Sequence, residues 1–373
     1  MSGLGALVDR IRRLVVLLIG LRALWMVSPC PAQAPGSERV RLRLDSAEAV
    51  AVLRLLELER SGRVASDPDR QRLYSTEGYV RLKAREAAMG RAFTDSEFTA
   101  FVRSDTLRSG AEALRRALSA WERADLRAAA ARALAYLPAA ARIRATVYIM
   151  IKPRTNSFVW DVERDPAIFL YLDPGITRAK FENTVAHELH HIGFASVRGS
   201  TDTILAALPD SVRAAAEWIG AFGEGFAMLA AAGGPGIHPH AVSPPADRAR
   251  WDKDLANFNR DVRTLETFFR DIMTRRLATP DTIRVVASTF YGVQGPWYTV
   301  GWKMAVVIEE AFGRAELIRC MTDQGLLLSR YNAAAAARNR THGDTLALWS
   351  PELVAALGRH KTPPDRRRGR GGT

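Results

Sequence analysis

The 373-residue sequence predicts a mainly α protein with a small β-sheet, an α+β fold. Three observations carry this expectation. Long stretches rich in Ala, Leu, Arg and Glu run through the first third with apolar residues at helical spacing. Apolar residues alternate only in brief runs, around 40–44, 143–151 and 167–172. Apolar stripes of helical period then return over 209–232 and 247–277.

Taken in order, Arg10, Arg12 and Arg13 precede an apolar run from Leu14 to Leu21, which Ala23 to Val27 extend past Arg22. Small residues follow at Cys30, Ala32 and Ala34. Residues 1–34 therefore read as an export signal cleaved after Ala32, implying a periplasmic or secreted bacterial protein. An uncleaved membrane anchor is the alternative, although the run is shorter than the ~20 residues a spanning helix needs. Loss of Cys30 with the signal leaves Cys320 as a lone, buried thiol and excludes an intrachain disulfide.

Residues 38–140 read as a helical N-terminal region. Val40, Leu42 and Leu44 suggest a short strand, and Asp45 with Glu48 resembles a capping box opening a helix to about residue 61. Further helices are expected over Asp67–Met89, Thr94–Ser104 (with Thr94 and Glu97 as a capping box) and Thr106–Leu137. Residues 141–325 form the core. Strands are expected from Ile143 to Ile151, from Phe158 to Val162 and from Ala167 to Leu172, closed by Asp173-Pro174-Gly175. A helix starts near Arg178, and another spans Pro209 to Ala232 with Asp210 or Ser211 as its cap. Four prolines and three glycines make 233–247 a loop, in which His238 and His240 read as solvated. Asp247–Leu277 is a long helix with Trp251, Phe258 and Phe269 on its core side, and a flexible Gly/Pro/aromatic loop leads to a helix from Tyr298 to Phe312. Residues 326–358 are a C-terminal helical region and 359–373 a disordered basic tail.

The formal charge is +13, of which +3 lies in residues 1–34 and +5 in residues 359–373. The remaining +5 is a mild excess for so long a segment, so no nucleic-acid partner is expected.

Chemistry concentrates at His187-Glu188-Leu189-His190-His191, an H-E-x-x-H pattern holding three of the seven histidines. At about 100° per residue, positions 187 and 191 lie about 40° apart on one helix face, so both imidazoles reach one metal ion, with Glu188 beside a water on it. His190 points away and reads as a packing or supporting residue. A catalytic zinc needs a third protein ligand. The continuation with a third His is excluded, because Phe194 and Val197 stand where it needs Gly and His. Glu224, in Gly223-Glu224-Gly225 on an apolar helix, is the favoured third ligand. A carboxylate there has no reason as a surface charge, and flanking glycine is best explained by close backbone approach. Glu217 is the alternative, as ligand or as partner of a ligand histidine, followed by Asp202 and Asp210.

At these residues the chain resembles the gluzincin class of metallopeptidases, and more narrowly an uncharacterised bacterial family of zinc-dependent peptidases. The narrower parallels are Glu77-Gly78-Tyr79, the H-E-x-H-H core, the Glu224-Gly225 helix, and Tyr298-x-x-Gly301-x-x-Met304, together covering about 38–325. The resemblance implies a zincin-like core over 141–325, with one Zn²⁺ per chain held by His187, His191 and Glu224 and a peptide or protein substrate. Glu188 would be the general base. A later Tyr or His stabilises the oxyanion in that class; Tyr298 is the candidate, ahead of Tyr291 and Lys303. The competing expectation is an exported, non-catalytic, zinc-stabilised helical binding protein.

Overall fold

The computed structural model describes residues 39–358. The signal or anchor expected at 1–34 and the tail expected at 359–373 lie outside the described residues. Among the described residues no helix is long and apolar enough to cross a membrane. Helices dominate, and the strands form a single four-stranded sheet, so the mainly α, α+β expectation holds.

Strand β1 (Val40–Asp45) is followed by six helices: α1 (Ala47–Arg60), α2 (Asp67–Tyr74), α3 (Glu77–Ala88), α4 (Asp95–Val102), α5 (Asp105–Trp121) and α6 (Leu126–Leu134). Strands β2 (Ile143–Met150), β3 (Phe158–Trp160) and β4 (Ala167–Tyr171) come next. The sheet order is β1-β2-β4-β3, with β1, β2 and β4 parallel and β3 antiparallel at one edge. A parallel strand buried on both faces should read as a continuous apolar run, and β2 comes close to this: six of its eight residues from Ala145 onward are buried.

Two long helices expected as single rods are broken. The Asp67–Met89 segment stops at Tyr74 and restarts at Glu77, and the 106–137 segment breaks at 122–125, where the Asp125 side chain accepts from Ala128 N at 2.9 Å. The capping box at Thr94 and Glu97 forms as expected. That at Asp45 and Glu48 does not. Asp45 accepts from Ala47 N, while the buried Glu48 carboxylate accepts from Ile151 N at 2.9 Å and ties α1 to the end of β2.

Helix α7 (Arg178–Ala195) starts where the sequence places it, with the Thr177 hydroxyl accepting from Lys180 N. After α8 (Gly199–Ala206) comes α9 (Asp210–Ile219), then one 3₁₀ turn (Gly220–Phe222) and α10 (Gly223–Ala232). The expected 209–232 helix is thus interrupted by a 3₁₀ turn that ends two residues before Glu224, and Pro209, not Asp210 or Ser211, occupies its N-cap. The rest is helical: α11 (Pro245–Leu255), α12 (Phe258–Met273), α13 (Pro280–Thr289), α14 (Pro296–Phe312), α15 (Arg314–Thr322), α16 (Gln324–His342) and α17 (Pro351–Gly358). The 247–277 helix is therefore two, divided at Ala256 and Asn257.

Two hydrophobic cores result. One joins the N-terminal helices, the sheet and the apolar side of α7 through Phe181, Val185, Leu189 and Ile192. The other gathers the C-terminal helices around Phe222, Phe269, Trp297 and Trp349, all at most 1% exposed. Each such side chain contributes roughly 2–3 kcal/mol of burial. Helix α10 is common ground, placing Phe226 in the second core and Ala231 in the first.

Candidate metal centre

Helix α7 buries its apolar side in the sheet core, which turns His187, Glu188 and His191 toward α10. Position 224 falls in the first turn of α10. There His187 Nε2 lies 3.1 Å from Glu224 Oε2, His191 Nε2 lies 3.3 Å from the same oxygen, and the two Nε2 atoms are 3.1 Å apart. Zinc ligands at about 2.0–2.2 Å in tetrahedral array stand roughly 3.3–3.5 Å from one another. The triangle has that size, and two imidazole nitrogens turned on one carboxylate oxygen are a donor set suited to a divalent cation. Among the described residues this is the one group of three or more His, Cys, Asp or Glu that could hold a metal ion.

Electrostatics agree with a preorganised site. Burial opposes ionisation of Glu224, yet the charge of His191 and hydrogen bonds from both histidines hold its carboxyl well below the usual carboxylate range. Burial likewise opposes charge on His191, but Glu224, with a smaller contribution from Glu188, raises it. His187 Nδ1 is buried without a hydrogen-bond partner.

The position of Glu224 is set by a helix crossing. A Cβ on Gly225 would come within 2.0 Å of Trp302 N and 2.3 Å of Gly301 C, and one on Gly301 within 2.5 Å of Phe222 O. Helices α10 and α14 therefore touch backbone to backbone, as the glycine beside Glu224 suggested. The same crossing puts Tyr298, one turn before Gly301, against the cluster. Its ring is 6.3 Å from that of His187, and burial and Glu224 raise its pKa. Trp297 fixes this first turn, being wholly buried with its Nε1 donating to Ala287 O at 3.0 Å. The loop expected to be flexible is a hydrogen-bonded turn, with Gly295 N donating to Tyr291 O.

The other candidates lie elsewhere. Glu217 is exposed on α9 and outside the cluster; Asp202 pairs with Arg198 and Asp210 with Arg213. Lys303 has Arg338, Glu310 and Asp344 as its charged neighbours. His238 meets Asp252 at 3.0 Å, and His240 is buried beside Trp251. His190 is buried, and burial together with the neighbouring histidines, only partly offset by the Tyr136 backbone, drives its pKa down to about 3. Glu77-Gly78-Tyr79 is structural: Glu77 accepts from Tyr148 and pairs with Arg43, and Tyr79 donates to Asp95.

Sequence reasoning missed a cavity of about 220 Å³ beside the cluster, walled on one side by His191, Glu224 and Tyr291. Residues of α15 and α16, which no motif pointed to, also line it.

The fold and site define a mainly α protein whose His-His-carboxylate centre is held by two facing helices. Residues 71–340 match the family described as "putative zinc dependent peptidase (DUF5700)". That match spans well over half of the sequence, and the chain belongs to this family. Among curated proteins and solved structures, none matches the chain.

Proposed function

We propose that this chain is a zinc peptidase of gluzincin type with a zincin-like core, in which His187, His191 and Glu224 hold one Zn²⁺. The observation that carries the reading is the convergence of Glu224 on the histidine pair at 3.1 and 3.3 Å, from a position 37 residues after His187. A zinc ion bound there would lower the pKa of a water and polarise a peptide carbonyl. Glu188 is half-buried and close enough to His191 and Tyr298 for its charge to act on both. It would serve as the base for a water at the metal and as the donor of that proton to the leaving amine. Tyr298 remains protonated, its phenol held neutral by burial and by the charge of Glu224, to which it is hydrogen-bonded, and with Glu224 engaged by the metal it would turn its donor to the developing oxyanion. A signal in residues 1–34 would send the protein to the periplasm or the medium.

Metal analysis of the purified protein and digestion of a peptide library test this. About one zinc per chain is expected, with Glu188→Gln retaining it and losing hydrolysis by a factor of about 10² or more. A His187→Ala protein that holds zinc as tightly as the parent would remove the basis of the reading.

A further inference from the structure

The cavity beside the centre has a chemical character of its own. Phe194, Ile219, Phe226, Met321 and Leu327 supply apolar walls. Apart from His190, His191, Glu224 and Tyr291 at the metal centre and the Cys320 thiol, the polar group in its lining is the side chain of Gln324. This residue is 6% exposed, and its Oε1 is buried with no hydrogen-bond partner. A buried amide oxygen left unpaired costs about 1–3 kcal/mol, so a rotation of the amide that brings this oxygen to a donor in the cavity would recover that cost. The opposite wall is thin. Gly220 lies in the 3₁₀ turn, and a Cβ added there would meet nothing nearer than Gln324 Nε2 at 3.9 Å. A side chain at position 220 would therefore come into contact with the Gln324 amide.

Size narrows the occupant. A cavity of about 150 Å³ holds a benzene molecule, so the volume of about 220 Å³ takes a six-membered ring with a polar group at its tip. Charged tips are unfavourable away from the metal centre, because the charged groups of the lining, Glu224 and His191, belong to that centre and apolar surroundings penalise charge. A phenolic hydroxyl suits Gln324 in either orientation of the amide, donating to its oxygen or accepting from its nitrogen.

We infer that this cavity is the side-chain pocket of the proposed peptidase and that it selects a hydroxyl-tipped aromatic residue, tyrosine, next to the scissile bond, with Gln324 as the specificity-determining group. The inference rests on the hydrolase reading for its substrate but not for its ligand chemistry, which permits two separate measurements.

The first measurement needs no catalysis. Binding of p-cresol and of toluene to the full chain is followed by ligand-observed NMR. Replacing Gln324 by Leu should lower the ratio of p-cresol to toluene affinity about three- to tenfold, the worth of one neutral hydrogen bond. Gly220→Leu should abolish binding of both while the protein stays folded by circular dichroism, since Gln324 Nε2, at 3.9 Å, is the nearest atom its Cβ would meet. An affinity ratio that is the same in Gln324→Leu, or p-cresol binding that survives Gly220→Leu, overturns the assignment.

The second measurement uses peptides carrying Ala, Leu, Phe or Tyr on either side of the cleaved bond. At one of the two positions kcat/KM should be highest for Tyr. Gln324→Leu should move the optimum to Phe, and Gly220→Leu to Ala. Efficient cleavage with no preference for Tyr would refute the pocket and leave the hydrolase standing. The p-cresol signature without cleavage of any peptide would remove the hydrolase and keep the pocket.

Discussion

Gly225 provides the sharpest test of how this centre is positioned. Alanine at that site places a methyl group 2.0 Å from Trp302 N and 2.3 Å from Gly301 C, both backbone atoms of α14. Ordinary contact begins near 3.4 Å, so α10 and α14 must part by about 1.4 Å. Overpacking of a filled interior costs about 1–3 kcal/mol, and a clash with backbone on both sides belongs at or above the top of that range. The displacement also acts on function. Glu224 is the adjacent residue, and a ligand atom moved by even half of 1.4 Å exceeds the about 0.2 Å that a metal bond tolerates. Gly225→Ala should therefore lower the melting temperature and weaken zinc binding at least tenfold, read by competition with a fluorescent chelator. Gly223→Ala is the control. Nothing lies within 4 Å of its Cβ position, and Ala is favoured over Gly in a helix by about 1 kcal/mol. It should bind zinc as the parent does and melt no lower. Parental zinc affinity in Gly225→Ala, or an equal loss in Gly223→Ala, would refute the claim that the crossing sets the carboxylate.

Tyr298→Phe should keep the metal and reduce kcat about 10²-fold with little change in KM, as expected for a donor that acts only in the transition state; an unchanged kcat would assign Tyr298 to packing. Zinc added at 100 times its Kd should stabilise the fold by about 2.7 kcal/mol, seen as a higher melting temperature, and Glu224→Ala should abolish the effect. Glu48 gives a pH prediction. Burial, only partly offset by the Ile151 amide and Lys152, raises it from 4.5 to about 8. The folded state thus binds this proton more tightly than the unfolded chain, so its contribution is complete below pH 4.5 and is lost as pH rises to about 8. Stability of the parent should fall across that window by an amount on the order of a few kcal/mol. Glu48→Gln should flatten the slope, and a parallel pH profile for the two proteins would show that Glu48 is ionised in the fold.

Much of the centre was legible because local signals agreed. His187 and His191 share a face by helical geometry alone, and Thr177 begins α7 where its apolar pattern starts. Glu224 stood out as an acid without a surface reason, and its neighbouring glycine pointed to close packing. What the sequence withheld was the partner: nothing local says that Gly225 meets Gly301, 76 residues later. The helix breaks at Ser75, Asp125 and Asn257 were hidden for a related reason. Each is one to three polar residues inside an otherwise continuous apolar period, and tertiary packing decides whether such residues face solvent or turn the chain. Glu48 misled because an acid three residues after Asp45 looks like a cap, whereas the end of β2, about 100 residues away, offers it a buried amide. Gln324 gave no signal at all. At the start of a helix, polar residues are ordinary, and only the folded chain turns this one into a cavity wall.

The histidines and the glutamate are anchored in different interiors. His187 and His191 ride on a helix whose packing belongs to the sheet, while Glu224 follows the aromatic assembly around Trp297 and Trp349. An ion shared by the three would act as a rivet across that seam, making cooperative melting of the two halves depend on its occupancy. Substitutions deep in the C-terminal assembly, far from any reacting atom, would then register first as weakened metal retention and only afterwards as loss of structure.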